Sequence, residues 1–555
     1  MNTFVANQPK FFDMPNKKSN RRSFIATSTL AVAAGSLTLQ SKAVARNYAS
    51  DRKLVSGQTE AAEVGNQVLD KGGNAIDAIV AAALVAGVVA IPSTGIGGYG
   101  GHLIVGGLPG GKVSAIDLNT AAPAAMRETS FQADENGKVK DGINNHGWQS
   151  VGVPGVLAGL QKALDLFGTR SFSDSVQTAI RYAANGFTVS KGLAASFKSA
   201  ENRFRRDVGS AKLFLPQGHS FNEGSTFRNP ELARLLESLA ETGNVAPFYQ
   251  GEFAQQIANQ SRANGGLLTA QDFANYEAHV VEPLSIQWNG YSVHTPPPTS
   301  GGLTVLQVLA ILNALGWPDK SSSPEIELVE ASRVAWSDRL TSLGDPKFNA
   351  IPVDRLLSSQ AASAAAYRIR EAIQGGAPLK LKSDGRTAGG TIHLNATDKN
   401  GLTAALTFTH GDSFGSLVTA DGLGMLMGHG LSRFDPRPGK ANSPGPSKRP
   451  LHNMCPTLVT RGDQVVLAVG ATGGRRIVSA VTNVLARYVG QGESLEKATQ
   501  HPRIHTEGDV AITVDANLPN VQKLVAFGYH VSASSVGSFN GIERKPSGEV
   551  IASKR

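Results

Sequence analysis

Gly389-Gly390-Thr391-Ile392-His393 is the stretch on which the reading of this chain turns. A hydroxyl is a weak nucleophile near neutral pH and needs a base beside it. A threonine that begins a chain has one built in, its own α-amine, whose ordinary pKa is about 7.7–8.0. Thr391 gains that amine only if the bond after Gly390 is cut, and Gly390 has no side chain to obstruct attack on its carbonyl. The segment before it, Gly375 to Gly390, is rich in Gly and Lys and poor in apolar residues, which predicts an exposed, mobile stretch free to move aside after scission. On pattern alone an ordinary strand threonine remains the simpler reading, because Thr is common in strands.

The register downstream supports the sharper reading. Asp398-Lys399-Asn400-Gly401 has Asp first and Gly fourth, the signature of a type I turn with a glycine bulge. A three-residue loop, Lys399–Gly401, pairs Asp398 with Leu402 and sets Thr391 opposite Thr409. A two-residue loop would turn Thr409 to the other face. Further on, Gly470-Ala471-Thr472-Gly473-Gly474-Arg475-Arg476 follows the apolar run Val465–Val469. Two glycines at a strand end can aim backbone N–H groups at one point, as an oxyanion site requires, although such a pair is more often only a turn.

Working outward, residues 59–91 read as helix, broken at Gly72-Gly73-Asn74 and ending in the apolar run Ala78–Ile91. That run is shorter than the roughly 20 residues needed to cross a bilayer, so it predicts a buried helix. Val151–Phe167, Ser173–Ala184, Pro230–Gly243, Thr304–Leu315 and Pro324–Leu343 carry helical patterns. Leu284–Val293, Ile392–Thr397, Leu402–Thr409, Thr457–Val459 and Val465–Val469 read as strands. The chain is therefore mixed α/β, with a strand-rich second part from Thr391. Gly95, Gly97 and Gly100 match the dinucleotide fingerprint, but here the loop leaves a helical segment and opens onto the strand-like His102–Val105, the reverse of the required order. The plainer reading is a loop where backbone approaches backbone or ligand closely.

Composition bounds the function. Of 555 residues 41% are hydrophobic and 17% charged, which excludes a disordered chain. The single cysteine, Cys455, excludes an intramolecular disulfide and reads as a packed small residue. The twelve histidines show no metal-ligand spacing, so neither a metal nor another cofactor is expected. Residues 1–45 hold six Lys/Arg and one acid; without them the net charge falls from +9 to +4, and nucleic-acid binding has little support. The same residues read as an export signal: Arg21-Arg22-Ser23-Phe24, a weakly apolar stretch Ile25–Thr38, then Ala43-Val44-Ala45. Paired arginines resemble the twin-arginine type, with cleavage after Ala45 and a periplasmic destination. The mature protein is expected to be free of the membrane.

The sequence resembles the γ-glutamyltransferase (glutathione hydrolase) family of self-cleaving N-terminal-nucleophile hydrolases. The likeness runs through Gly72–Ala78, Gly95–Gly98, Val153-Pro154-Gly155, Ala263–Tyr276, Pro296–Gly302, Gly344-Asp345-Pro346, Gly390–His393, Lys448-Arg449-Pro450 and Gly473-Gly474. The resemblance implies a four-layer αββα sandwich built from a large subunit, 46–390, and a small one, 391–555, of one precursor. It implies Thr391 as nucleophile for self-cleavage after Gly390 and for the substrate, Thr409 as its hydroxyl partner, and the Gly473 and Gly474 amides as oxyanion hole. The implied reaction is attack on a small-molecule amide, an acyl-enzyme, and release to water or an amine.

Several family positions depart from the pattern. Asn119 stands where the family's Asp-Phe-Arg-Glu motif has the arginine that holds the glutamate α-carboxylate. Gly411 replaces an asparagine, Gly428–Arg433 replaces the segment that grips the α-amine, and His452-Asn453 replaces a serine pair. With Arg433 where a carboxylate met an ammonium, a γ-glutamyl group would face repulsion of about 4 kcal/mol at ~4 Å and an effective dielectric near 20. The expected substrate is an amide of another acyl group, with Arg433, His452 or Arg475 as candidate partners for an anion on it. Two alternatives stay open: a true glutathione hydrolase, and an inactive exported binding scaffold.

Overall fold

Along the strand Gly390–Thr397, alternate side chains enter two different environments. Ile392, Leu394 and Ala396 join Ala404, Leu406 and Phe408 of the next strand in an apolar cluster with the helix Ala75–Val89. The opposite face is polar: Asn395 and His393 meet Asn540, and Thr397 meets Arg544, both of which lie on a second sheet. This period of two places a strand between a helix layer and another sheet. The computed structural model describes residues 48–51, 53–321, 323–381 and 390–555. All belong to one unit, Ala45–Arg555. The export signal read in residues 1–45 and residues 382–389 of the stretch before Thr391 lie outside the described residues.

The first sheet has six strands, in the order Leu54–Ser56, Gly390–Thr397, Thr403–Gly411, Gly100–Gly106, Ser114–Asp117 and His279–Val281. The second has seven: Tyr48–Asp51, Glu549–Lys554, Ser538–Arg544, Gln464–Thr472, Thr457–Arg461, Tyr291–Thr295 and Leu284–Trp288. Every pairing in both is antiparallel. Ile104, Ala115 and Ala405 of the first meet Leu458, Val465 and Ala468 of the second. Helices including Thr59–Asp70, Ala75–Val89 and Val156–Phe167 cover the outer face of the six-stranded sheet. Gly302–Leu315, Pro324–Ser342 and Arg476–Leu485 cover the seven-stranded one. The result is the expected four-layer αββα sandwich.

Helix Ala75–Val89 is buried along its whole length, and an Asn74/Asp77 capping box fixes its start. Asp398 of the hairpin also accepts the Ala75 amide at 3.2 Å, tying the turn to that helix. Within the turn, Asn400 N–H donates to Asp398 Oδ1 at 2.8 Å and Gly401 sits at φ 95°. Ile392 then pairs with Phe408 and Thr397 with Thr403, the register of the three-residue loop. A bulge follows, so that Gly390 pairs with Gly411 and Thr391 lies beside Thr409.

Two expectations need adjustment. Leu284–Val293 is not one strand but a hairpin, because Asn289-Gly290 turns the chain at φ 49° and 77°. The helix expected from Val151 begins at Val156; Val153 instead bridges Ala121, and Pro154 precedes the first turn. Among the described residues the part from Gly390 onward is the strand-rich one, as expected, and both large sheets draw strands from either side of position 391.

Candidate active site

Thr391 is buried at the start of its strand, with its hydroxyl directed back at the peptide bond before it. Oγ1 lies 2.5 Å from Gly390 O and 3.3 Å from Thr409 Oγ1. Thr409 Oγ1 accepts the Gly411 amide at 2.7 Å and also donates to Gly390 O. Two hydroxyls thus converge on one carbonyl oxygen. The glycine loop after Ala90 holds this strand end in place: a Cβ on Gly98 would come within 2.9 Å of Thr409 O.

A pocket of about 10 Å³ opens at Thr391, lined among others by Tyr99, Gly411, Arg433, Asn453 and Gly474. Gly473 and Gly474 have φ 118° and 64°, a left-handed pair that turns the end of strand Gln464–Thr472 into helix Arg476–Leu485. Among the described residues no protein acceptor takes the Gly474 N–H. Gly473 supports this turn without lining the pocket. At Gly411, φ is 107° and a Cβ would lie 2.0 Å from the His429 ring, so a side chain is excluded there.

The other sequence-derived residues divide. Arg433 and Asn453 line both the small pocket and a larger cavity of about 780 Å³, where Arg475 joins them. Asn119 and His452 line neither. Asn119 spends its amide on Thr299 Oγ1 at 2.8 Å and Pro450 O at 2.7 Å. His452 Nδ1 accepts the Met454 amide at 3.1 Å, so Nε2 carries the proton and donates to His102 Nδ1 at 3.0 Å. Both residues brace the segment Pro450–Met454. Cys455 is packed in the core, where burial pushes its thiol up to about 12.

Arg433 is not an open cation. Its Nη2 lies 2.9 Å from Asp412 Oδ1 and 3.1 Å from His429 Nε2. Burial would raise Asp412, but Arg433 and then His429 hold it below the ordinary carboxylate value. His429 accepts the Asp412 amide on Nε2 at 2.6 Å and donates Nδ1–H to Asn145 O at 2.6 Å. Burial and the adjacent Arg433 push it down to about 4, so it stays neutral. The paired Asp412 cancels most of the repulsion expected between Arg433 and a substrate ammonium. Sequence reasoning missed Asp412, although it lies only three residues after Thr409. It also missed Tyr99, the one aromatic residue inside the glycine loop.

The family model for gamma-glutamyltranspeptidase matches residues 61–554. The chain belongs to the gamma-glutamyltranspeptidase family. It is an amide hydrolase/acyltransferase of the N-terminal-nucleophile type. Among its relatives, a glutathione hydrolase proenzyme of Pseudomonas sp. (strain A14) is 32% identical over 502 residues, 86% of either chain. An acylase ACY 1 proenzyme of Pseudomonas sp. (strain V22) is 32% identical over 510 residues, 89% of this chain and 90% of that one. The crystal structure of a cephalosporin acylase from Bacillus halodurans superposes with a TM-score of 0.83 at 26% identity, covering 93% of this chain and 96% of that one. A gamma-glutamyltranspeptidase family member thus has structural kin named for two kinds of amide.

Proposed function

We propose that this enzyme cuts itself between Gly390 and Thr391 and then cleaves small amides through the Thr391 it has freed. The reading rests on one observation, the convergence of Thr391 Oγ1 and Thr409 Oγ1 on Gly390 O beside the Gly474 amide. In the first event Thr391 Oγ1 bonds to the Gly390 carbonyl carbon while the Thr409 hydroxyl stabilises the oxygen. The C–N bond to Thr391 breaks, its nitrogen takes a proton, and water opens the resulting ester, leaving a Gly390 carboxylate. The products are a large subunit, 46–390, and a small one, 391–555. The new amine, with an ordinary pKa of about 7.7–8.0, then serves as base for the Thr391 hydroxyl. The Gly474 amide supplies the oxyanion site for the substrate, aimed by the turn that Gly473 completes. No cofactor enters these steps.

The acyl group is proposed to be other than γ-glutamyl. Asn119 has both amide protons committed to the scaffold, and the Gly411 position cannot carry a side chain. The acid nearest the pocket, Asp412, is already neutralised by Arg433. The second reading, γ-glutamyl hydrolysis, is favoured by that same Asp412, which is part-exposed and could receive an ammonium if Arg433 moved. Export through the 1–45 segment to the periplasm completes the proposal; among the described residues no helix is long and apolar enough to cross a membrane.

A denaturing gel with mass analysis tests the first claim. Two chains are expected, the smaller starting at Thr391, and Thr391→Ala should leave a single intact chain. A single chain in the wild type would favour an inert scaffold. Turnover of a γ-glutamyl anilide far above that of other N-acyl anilides would overturn the substrate claim.

A further inference from the structure

The larger cavity beside the nucleophile pocket is lined by a further buried cation. Arg339, on helix Pro324–Ser342, is 4% exposed and lines that cavity. Its Nη2 donates to His452 O at 2.6 Å and to Asn453 Oδ1 at 3.0 Å. Its Nη1 is buried and, among the described residues, has no acceptor. The other guanidiniums here are compensated: Arg433 by Asp412 at 2.9 Å and Arg475 by Glu507 at 2.6 Å. Among the described residues no carboxylate pairs with Arg339. Burial, and then the neighbouring Arg475, push its guanidinium down to about 9, with only the Cys455 thiol working the other way. The Trp336 ring lies between the two arginines, 5.4 Å from Arg339 Cζ and 5.8 Å from Arg475 Cζ.

A brace for the His452-Asn453 loop needs hydrogen bonds but not a buried, uncompensated charge. Such a charge is unfavourable unless something negative meets it. With both Nη2 protons committed, the Nη1 protons are the ones left to meet an acceptor oxygen. Asn453, which takes one Arg339 proton, lines both the cavity and the pocket at Thr391, so the Arg339 guanidinium is one side chain from the chemistry. We infer that Arg339 is a specificity-determining residue that binds a carboxylate carried by the substrate. This rests on Thr391 as the nucleophile. It places the anion in the 780 Å³ cavity, on the far side of Asn453 from the scissile amide.

The test compares three amides on the full-length protein: glutaric mono-p-nitroanilide, pentanoic p-nitroanilide of the same chain length, and pentanoyl-4-aminobenzoate, whose anion is on the amine. The glutaryl compound is expected to exceed the neutral one by about 30-fold in kcat/KM, mainly through KM. Arg339→Gln should remove at least tenfold of that preference while changing the neutral substrate less than threefold, and Arg339→Lys should keep part of it. A preference for the aminobenzoate instead would assign the carboxylate to the leaving group and keep the subsite. Equal losses on all three substrates, or no charge preference in the wild type, would reduce Arg339 to a loop brace. Calorimetric titration with glutarate separates this from failure of the catalytic reading. Binding that Arg339→Gln weakens tenfold supports the subsite even in a protein that never cleaves itself, and no binding to the wild type overturns it.

Discussion

Thr409 Oγ1 accepts the Gly411 amide, which leaves its proton free for the Gly390 carbonyl oxygen. Removing one donor from an oxyanion site costs about 10²–10³-fold in rate. Thr409→Ala and the isosteric Thr409→Val should therefore both slow self-cleavage by about that factor, and Thr409→Ser should restore most of it. A time course of subunit appearance on a gel checks this; a valine variant that cleaves normally would show that only the shape of the side chain matters. The pair Thr391/Thr409 was legible in the sequence because strand register is a local property. The pocket residues were legible in part. Asn119 and His452 stand at positions that suggested substrate contact, but the amide protons of Asn119 go to Thr299 and Pro450 and Nε2 of His452 meets His102, partners remote in sequence. The charge of Arg433 was readable and its pairing with Asp412 was not, since pairing depends on how the segment after Met425–Leu426 folds back over Gly411.

At the scale of elements, the Asp398–Leu402 turn determines whether those hydroxyls meet. Asp398 holds it through the Asn400 amide and anchors it to Ala75, and Gly401 supplies the φ of 95° that the bulge requires. Deleting Asn400 would shorten the loop to two residues and shift the strand Thr403–Gly411 by one position. A one-residue slip sends every side chain to the other face. The deletion variant is expected to show no self-cleavage, and Asp398→Ala, which keeps the loop length, should lower stability by about 1 kcal/mol and still cleave. Cleavage in the deletion variant at the normal rate would mean that the bulge at Thr391 absorbs the slip. The helix Ala75–Val89 was readable from its unbroken apolar run after the break at Gly72-Gly73-Asn74. The hairpin at Asn289-Gly290 was missed even though that dipeptide is a strong turn signal, because the flanking run of strand-forming residues hid it.

Over the whole molecule, the interleaving of strands from both sides of position 391 means that neither segment alone builds either of the two large sheets or the cores against them. It also seals several polar groups away from water. Burial pushes His393 and His429 down to about 4, and burial together with His429 takes His410 to about 3. In an unfolded chain each would titrate near 6.5. A folded-state value below the unfolded one means that their contribution is fully present above about pH 6.5 and lost as the pH falls towards 4, and towards 3 for His410. At pH 5 the unfolded state binds protons that the folded state refuses, at a cost of about 2 kcal/mol per histidine. His410 is the clearest case, because the ring lies in an apolar pocket with Ile96 and Leu426 and only the Thr94 backbone works against the shift. Replacing it with leucine removes the proton acceptor and keeps the apolar contact. At about 2 cal/mol/K of unfolding entropy per residue, 2 kcal/mol corresponds to about 2 °C in a chain of this size. The fall in Tm between pH 7 and pH 5 should therefore be about 2 °C smaller in His410→Leu than in the wild type, at one fixed scan rate. Parallel falls in the two proteins would mean that His410 takes up its proton in the folded state, and that its burial carries no acid liability.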